Sequence, residues 1–173
     1  MRIPTMAVLA AALVVLGCSP ALDWREFEPE GSGVIASFPC RPDHHSRTVP
    51  LAGASVRMEM FVCNVAGTTF ALTYADMADP AAVGPALGEL KALAGANIGA
   101  APEAAAAASV PGMTPHPQAG RVVAKGRRPD GGRIEQQALV FAKGVRVYQA
   151  SVVGSSIPAE AAETFLGAPR PAR

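Results

Sequence analysis

The sequence shows no excess of either charge, no apolar run long enough to span a bilayer, and few histidines or aromatics. With 15 basic and 14 acidic residues, it lacks the positive footprint of a nucleic-acid binder. Its three histidines, His44, His45 and His116, are a thin supply for acid–base or nucleophilic chemistry. It holds no G-x-S-x-G elbow, no phosphate loop and no H-E-x-x-H helix. Those arrangements set a nucleophile beside a base, backbone amides around a phosphate, or two imidazoles on one metal, and their absence argues against an enzyme of these classes and gives no reason to expect a cofactor. Aromatics are only 5% of the chain, so the core must be built from a short set of large side chains, mostly Trp24, Phe27, Phe38, Phe61, Phe70, Leu72, Tyr74, Leu90, Leu93, Phe141, Tyr148 and Phe165.

What is present begins at the amino terminus. Met1–Thr5 carries Arg2, and an apolar run from Met6 to Leu16 ends at Gly17-Cys18. As a helix that run would rise about 16 Å, roughly half the hydrocarbon thickness of a bilayer. This pattern reads as a cleavable signal peptide over residues 1–17. Val15-Leu16-Gly17-Cys18 resembles the bacterial lipobox, with Val where Leu is commoner. The resemblance implies that the Cys18 thiol is diacylglycerated, that the chain is cut before it, and that the new amino terminus is acylated. Each buried methylene contributes about 0.8 kcal/mol, and stable anchoring needs at least two acyl chains, which this modification supplies. Ser19, rather than Asp, follows the cysteine, which by the same resemblance favours the outer membrane, with the domain facing the periplasm.

Three cysteines occur in all. With Cys18 given to lipid, Cys40 and Cys63 remain as an even pair in an oxidising compartment, where a structural disulfide is the expected outcome. Arg2 leaves with the signal, so the mature part carries 14 basic and 14 acidic residues. That balance gives no reason to expect electrostatic capture of anionic lipid.

Residues 18–23 form a short lipidated tether, 24–168 a single domain and 169–173 a tail expected to fray. Two short strands flank the turn Pro29–Gly33. Ser55–Val65 alternates, with Val56, Met58, Met60 and Val62 on the face taken as core-facing and Arg57, Glu59, Phe61 and Cys63 on the other, so a Cys40–Cys63 bridge would sit on the sheet's outer face or rim. Ala66-Gly67 turns this strand back into Thr68–Ala75, where Phe70, Leu72 and Tyr74 alternate with small residues. Asp79-Pro80 opens a helix to about Asn97, with Leu87, Leu90, Leu93, Ala94 and Ile98 as its buried stripe. Residues 100–119 read as a loop holding one strand near Ala105–Val110. Arg121–Lys125, Arg133–Lys143 and Val145–Val153 form a meander, and Pro158–Leu166 a closing helix capped by Ser156.

The sum is α+β: an antiparallel sheet of about six or seven strands with one longer and one short C-terminal helix packed on it. Trp24-Arg25-Glu26-Phe27, Val34–Pro39, Phe70-Ala71-Leu72 and Val147-Tyr148-Gln149-Ala150 with Gly154 resemble a group of small bacterial envelope lipoproteins, and their order is similar to the PsbP and Mog1-like sandwich fold. The resemblance spans most of the mature chain and brings no catalytic residues.

The leading functional expectation is a non-catalytic binding or accessory module, held to the membrane through the Cys18 lipid and meeting another envelope protein. A copper site is an alternative, because thioethers and imidazoles suit copper: His44 and His45 lie in an expected loop, Met58 and Met60 share a strand face, and Met113 precedes His116. The same methionines fit an ordinary core. A small-molecule carrier and an uncharacterised envelope enzyme are the remaining alternatives. Lys125, Arg127, Arg128 and Arg133 gather around the expected second hairpin and read as a solvated charged tip or as a contact for phosphate or an acidic partner.

Overall fold

The computed structural model describes residues 22–172, so the expected signal segment and the lipidated Cys18 lie outside the described residues. Ten strands and two helices follow one another as β1 (Arg25–Phe27), β2 (Val34–Phe38), β3 (Asp43–Leu51), β4 (Ala54–Val65), β5 (Thr68–Asp76), α1 (Val83–Ala96), β6 (Glu103–Ala107), β7 (Gly120–Arg127), β8 (Arg133–Lys143), β9 (Arg146–Gly154), α2 (Ala159–Gly167) and β10 (Arg170–Pro171). Seven strands make one antiparallel sheet in the order β3-β4-β5-β9-β8-β7-β6, and β1-β2-β10 make a second, three-stranded sheet. The α+β architecture expected from the sequence is the one observed.

The period-two pattern of β5 and β9 explains the layering. Phe70, Leu72 and Tyr74 point to one face with Tyr148, Ala150 and Val152, and there they meet Phe38 of β2 and Phe165 of α2. Phe165 sits edge-on to Phe38 at 5.1 Å and to Phe70 at 5.4 Å between ring centroids, and Phe141 stacks on Tyr148 at 4.6 Å. Such pairs add about 0.5–1.5 kcal/mol each beyond the area they bury. The Tyr148 hydroxyl donates to Ser32 O at 2.7 Å and that of Tyr74 to Glu30 O at 2.5 Å, so the turn before β2 is pinned to the large sheet. The Arg146 guanidinium, paired with Asp76 at 2.6 Å, donates to Gly31 O in the same turn.

The opposite face carries α1. Asp79 Oδ1 accepts from Ala81 N at 2.9 Å and caps a single 3-10 turn, Pro80–Ala82, that leads into the helix. Leu87 and Leu90 pack on Met77, Val140 and Val147, while Ala94 meets Val122 and Ala138. The β3–β4 turn is held to the helix by the Glu89 carboxylate, which accepts from Ala52 N at 2.7 Å. The sheet's upper end is the one bearing the β4–β5 and β7–β8 turns. At the first of these, Ala66 and Gly67 have φ of 49° and 77°, the left-handed pair that a two-residue turn between twisted strands requires.

Five local expectations are corrected. Phe61 and Cys63, at 3% and 2% exposure, face the aromatic core, whereas Met58, Met60 and Val62 are only partly buried on the other face. Apolar count favoured the methionine face, but the largest ring on the strand chose the side. His44 and His45 stand in β3, not in a loop. Strand β3 is an edge strand exposed on both faces along most of its length, so it carries no alternation to read. Leu93 is 40% exposed rather than part of the helix's buried stripe. The tail pairs with β2, Arg170 opposite Ile35 and Pro171 opposite Val34, instead of fraying. Pro158, with no side-chain cap bond, precedes α2 in place of a Ser156 cap.

Candidate binding groove

The feature that the fold leaves open lies between α1 and the sheet. On the helix side, β5 presents Thr69, Ala71 and Thr73, the small partners of its core-facing aromatics, and β9 presents Gln149, Ser151 and Val153. Side chains this short give the upper half of α1 little to pack against in the β3–β4–β5 region. The helix instead lies over β7, β8 and β9, where alanines allow close approach. A groove of about 740 Å³ remains. Leu93 overhangs it from α1, Met58 and Met60 form the far wall, and Thr73, Gln136 and Ser151 make a polar floor that is less than 10% exposed. Gln149 is partly committed, donating from Nε2 to Leu90 O at 3.1 Å. Thioether and methyl walls over a polar floor suit an occupant with both apolar surface and hydrogen-bonding groups.

The candidate ligands divide between faces. His45 stands directly opposite Met60 in the β3–β4 register, and it lines the groove with Met58 and Met60. His44 points to the other side, where its ring stacks on Phe61 at 4.4 Å and Nε2 meets Glu59 Oε2 at 2.7 Å. Glu59 also accepts from Arg57 Nε at 2.6 Å and Ser46 Oγ at 2.9 Å. Chiefly the Arg57 hydrogen bond, with help from His44 and Ser46 and against partial burial, lowers its pKa to about 2. Serine, imidazole and carboxylate thus meet, but with the carboxylate in the middle. Ser46 and His44 each bond the acid, an order that orients no base toward the hydroxyl.

His116 sits elsewhere, against Gly84 of α1, with Nδ1 accepting from Gln118 N at 3.0 Å. Met113 packs on the aromatic core and its sulfur accepts from Val110 N. The copper candidates therefore do not form one cluster: His45, Met58 and Met60 come together, while His44 and His116 do not join them. Among the described residues, no group of three or more His, Cys, Asp or Glu side chains is arranged to hold a metal ion. Cys40 and Cys63 form the expected disulfide, with Cα atoms 5.9 Å apart. The groove itself was missed from sequence. The signal was there in the Thr69/Ala71/Thr73 alternation, a strand face too small to seal a helix.

No protein-family model matches the chain, and neither a curated protein nor a solved structure matches it. No helix among the described residues is long and apolar enough to cross a membrane.

Proposed function

We propose that the chain is a lipid-anchored, periplasm-facing binding or accessory module of a bacterial cell envelope, tethered through Cys18, non-catalytic, and engaging a partner through the groove beside α1. The observation that carries this reading is the groove: one helix covers only part of the sheet face, and a mainly apolar hollow with a polar floor is left beside it. The lipobox-like Val15–Cys18 and the resemblance to envelope lipoproteins support the address, and the disulfide suits an oxidising compartment.

A photo-crosslinking residue at Leu93, over the groove, should capture one envelope component in intact cells. The same residue at Thr48, an exposed position on the opposite sheet face, should not. Capture of the same proteins from both positions, or none from Leu93 while the purified chain turns over a substrate, would count against the reading.

A second reading rests on one arrangement. His45, Met58 and Met60 share the groove wall, and an imidazole with two thioethers is a donor set suited to Cu(I). Titration calorimetry with Cu(I) separates the readings; affinity no tighter than micromolar discards copper.

A further inference from the structure

We propose that the upper end of the sheet is a membrane-docking surface, on which the β7–β8 hairpin tip receives the phosphates of anionic lipid headgroups in the bilayer that holds the Cys18 anchor. The inference rests on the lipid-anchor reading above and adds to it a second contact with the membrane.

The first observation is a local excess of charge within a neutral chain. Arg127 and Arg133 are direct cross-strand partners, and Lys125 lies two pairs further in, opposite Glu135. Like charges directly opposite each other destabilise a hairpin, and Arg128 on the turn adds a fourth cation. Among the described residues, none of the four forms an ion pair. The acids at hand are engaged otherwise: Glu135 accepts from Gln137 Nε2 at 2.8 Å, and Asp130 accepts from Gly132 N at 2.8 Å inside the turn.

The second observation is a cleft. Lys125, Arg127 and Arg133 line a hollow of about 750 Å³ together with Glu135, the Ser155 and Ser156 segment and the apolar side chains of Ile98 and Ile157, so three cations outnumber one carboxylate there. Guanidinium forks match phosphate oxygens in pairs, and apolar side chains beside them suit the glycerol and upper acyl region of a lipid.

The third is position. The described chain starts at this same end. Asp23 N donates to Pro39 O at 3.0 Å, and Pro39 adjoins Cys40, which is bridged to Cys63 near the top of β4. Across the sheet, Thr68, Gly154, Glu135 and Lys125 lie in one row at that level. From Cys18 to Leu22 the chain reaches at most about 14 Å. The hairpin tip stands about 20 Å to the side, four strand spacings from β4. A lipid on Cys18 therefore keeps this end, and not the β3–β4 turn at the other, against the headgroups. The zero net charge of the mature chain concealed this, because docking depends on where charges stand and not on their sum.

The test uses the lipidated mature protein, purified from membranes and reconstituted in phosphatidylcholine vesicles with or without phosphatidylglycerol. Amide hydrogen exchange of residues 126–134 is the readout. Each basic residue near an anionic surface is worth about fivefold in partitioning, so exchange should slow about tenfold or more with phosphatidylglycerol. The protection should vanish in molar salt, where the screening length falls to about 3 Å, and in the Arg127→Gln/Arg128→Gln/Arg133→Gln variant, whose melting temperature verifies its fold. Equal exchange on both vesicle types overturns the inference, as does equal protection by inorganic phosphate alone, which would make the cleft a soluble-anion site. A chain that does not float with phosphatidylcholine vesicles refutes the anchor reading and this inference with it. One that floats without phosphatidylglycerol-dependent protection refutes the inference alone.

Discussion

Replacing Cys40 and Cys63 together by alanine should destabilise the folded domain by about 3.5 kcal/mol, the chain-entropy value for a loop of this length. The bridge closes residues separated by 23 positions, and that segment contains all of β3 and most of β4. Without it, the unfolded chain regains the freedom of a strand pair that lies at the sheet's edge and, among the described residues, pairs laterally with β5 alone. Cys63 is 2% exposed and packs in the aromatic core, so losing its sulfur adds a small packing cost of the same sign. For a domain of this size each kcal/mol moves the melting temperature by about 2–4 °C, giving a fall of roughly 7–14 °C by circular dichroism. Reduction of the wild-type protein should reproduce the shift, and reductant should leave the double-alanine variant unchanged. A fall of under about 2 °C in both would show that the loop is held equally well without the bridge.

The glycines of α1 should respond with opposite signs. A Cβ at Gly88 meets only Gln118 Oε1 at 3.8 Å, so Gly88→Ala should stabilise by about 0.5–1 kcal/mol, whereas one at Gly95 would run into Ala100 O and the Pro102 ring, so Gly95→Ala should destabilise in urea melts despite its better helix propensity. Tyr148→Phe removes the only hydroxyl donating to Ser32 O within the described residues and should cost about 1–2 kcal/mol by the same melts. Glu59 has a folded pKa depressed from 4.5 to about 2, so its contribution is complete above pH 4.5 and is lost as pH falls toward 2; Glu59→Gln should flatten the stability–pH slope across that window, and an unchanged slope would count against the cluster.

How much was legible in the sequence followed local chemistry. Strands β4, β5, β8 and β9 could be read because large and small side chains alternate along them, and α1 because Asp79-Pro80 marks its start and leucines recur at helical spacing. Strand β3 was not legible: its side chains from Asp43 to Thr48 are all exposed, and an edge strand open on both faces needs no alternation. Strand β10 is two residues long, and its pairing depends wholly on where β2 has been placed by Tyr74, Tyr148 and Arg146. The Cys40–Cys63 pair was found by cysteine arithmetic and compartment, yet its side of the sheet was misjudged, because the parity of β4 is decided by how Phe61 packs against a layer that only tertiary structure brings in. The groove depends likewise on where α1 leans, which follows from alanines on β7 and β8 far from it in sequence.

The intact mass of the protein extracted from cell membranes in detergent reads directly whether Cys18 is the anchor. The expected species is a chain beginning at Cys18 and carrying the diacylglyceryl group with an amino-terminal acyl chain. A chain that begins elsewhere, or that begins at Cys18 with no lipid mass, would contradict that anchor.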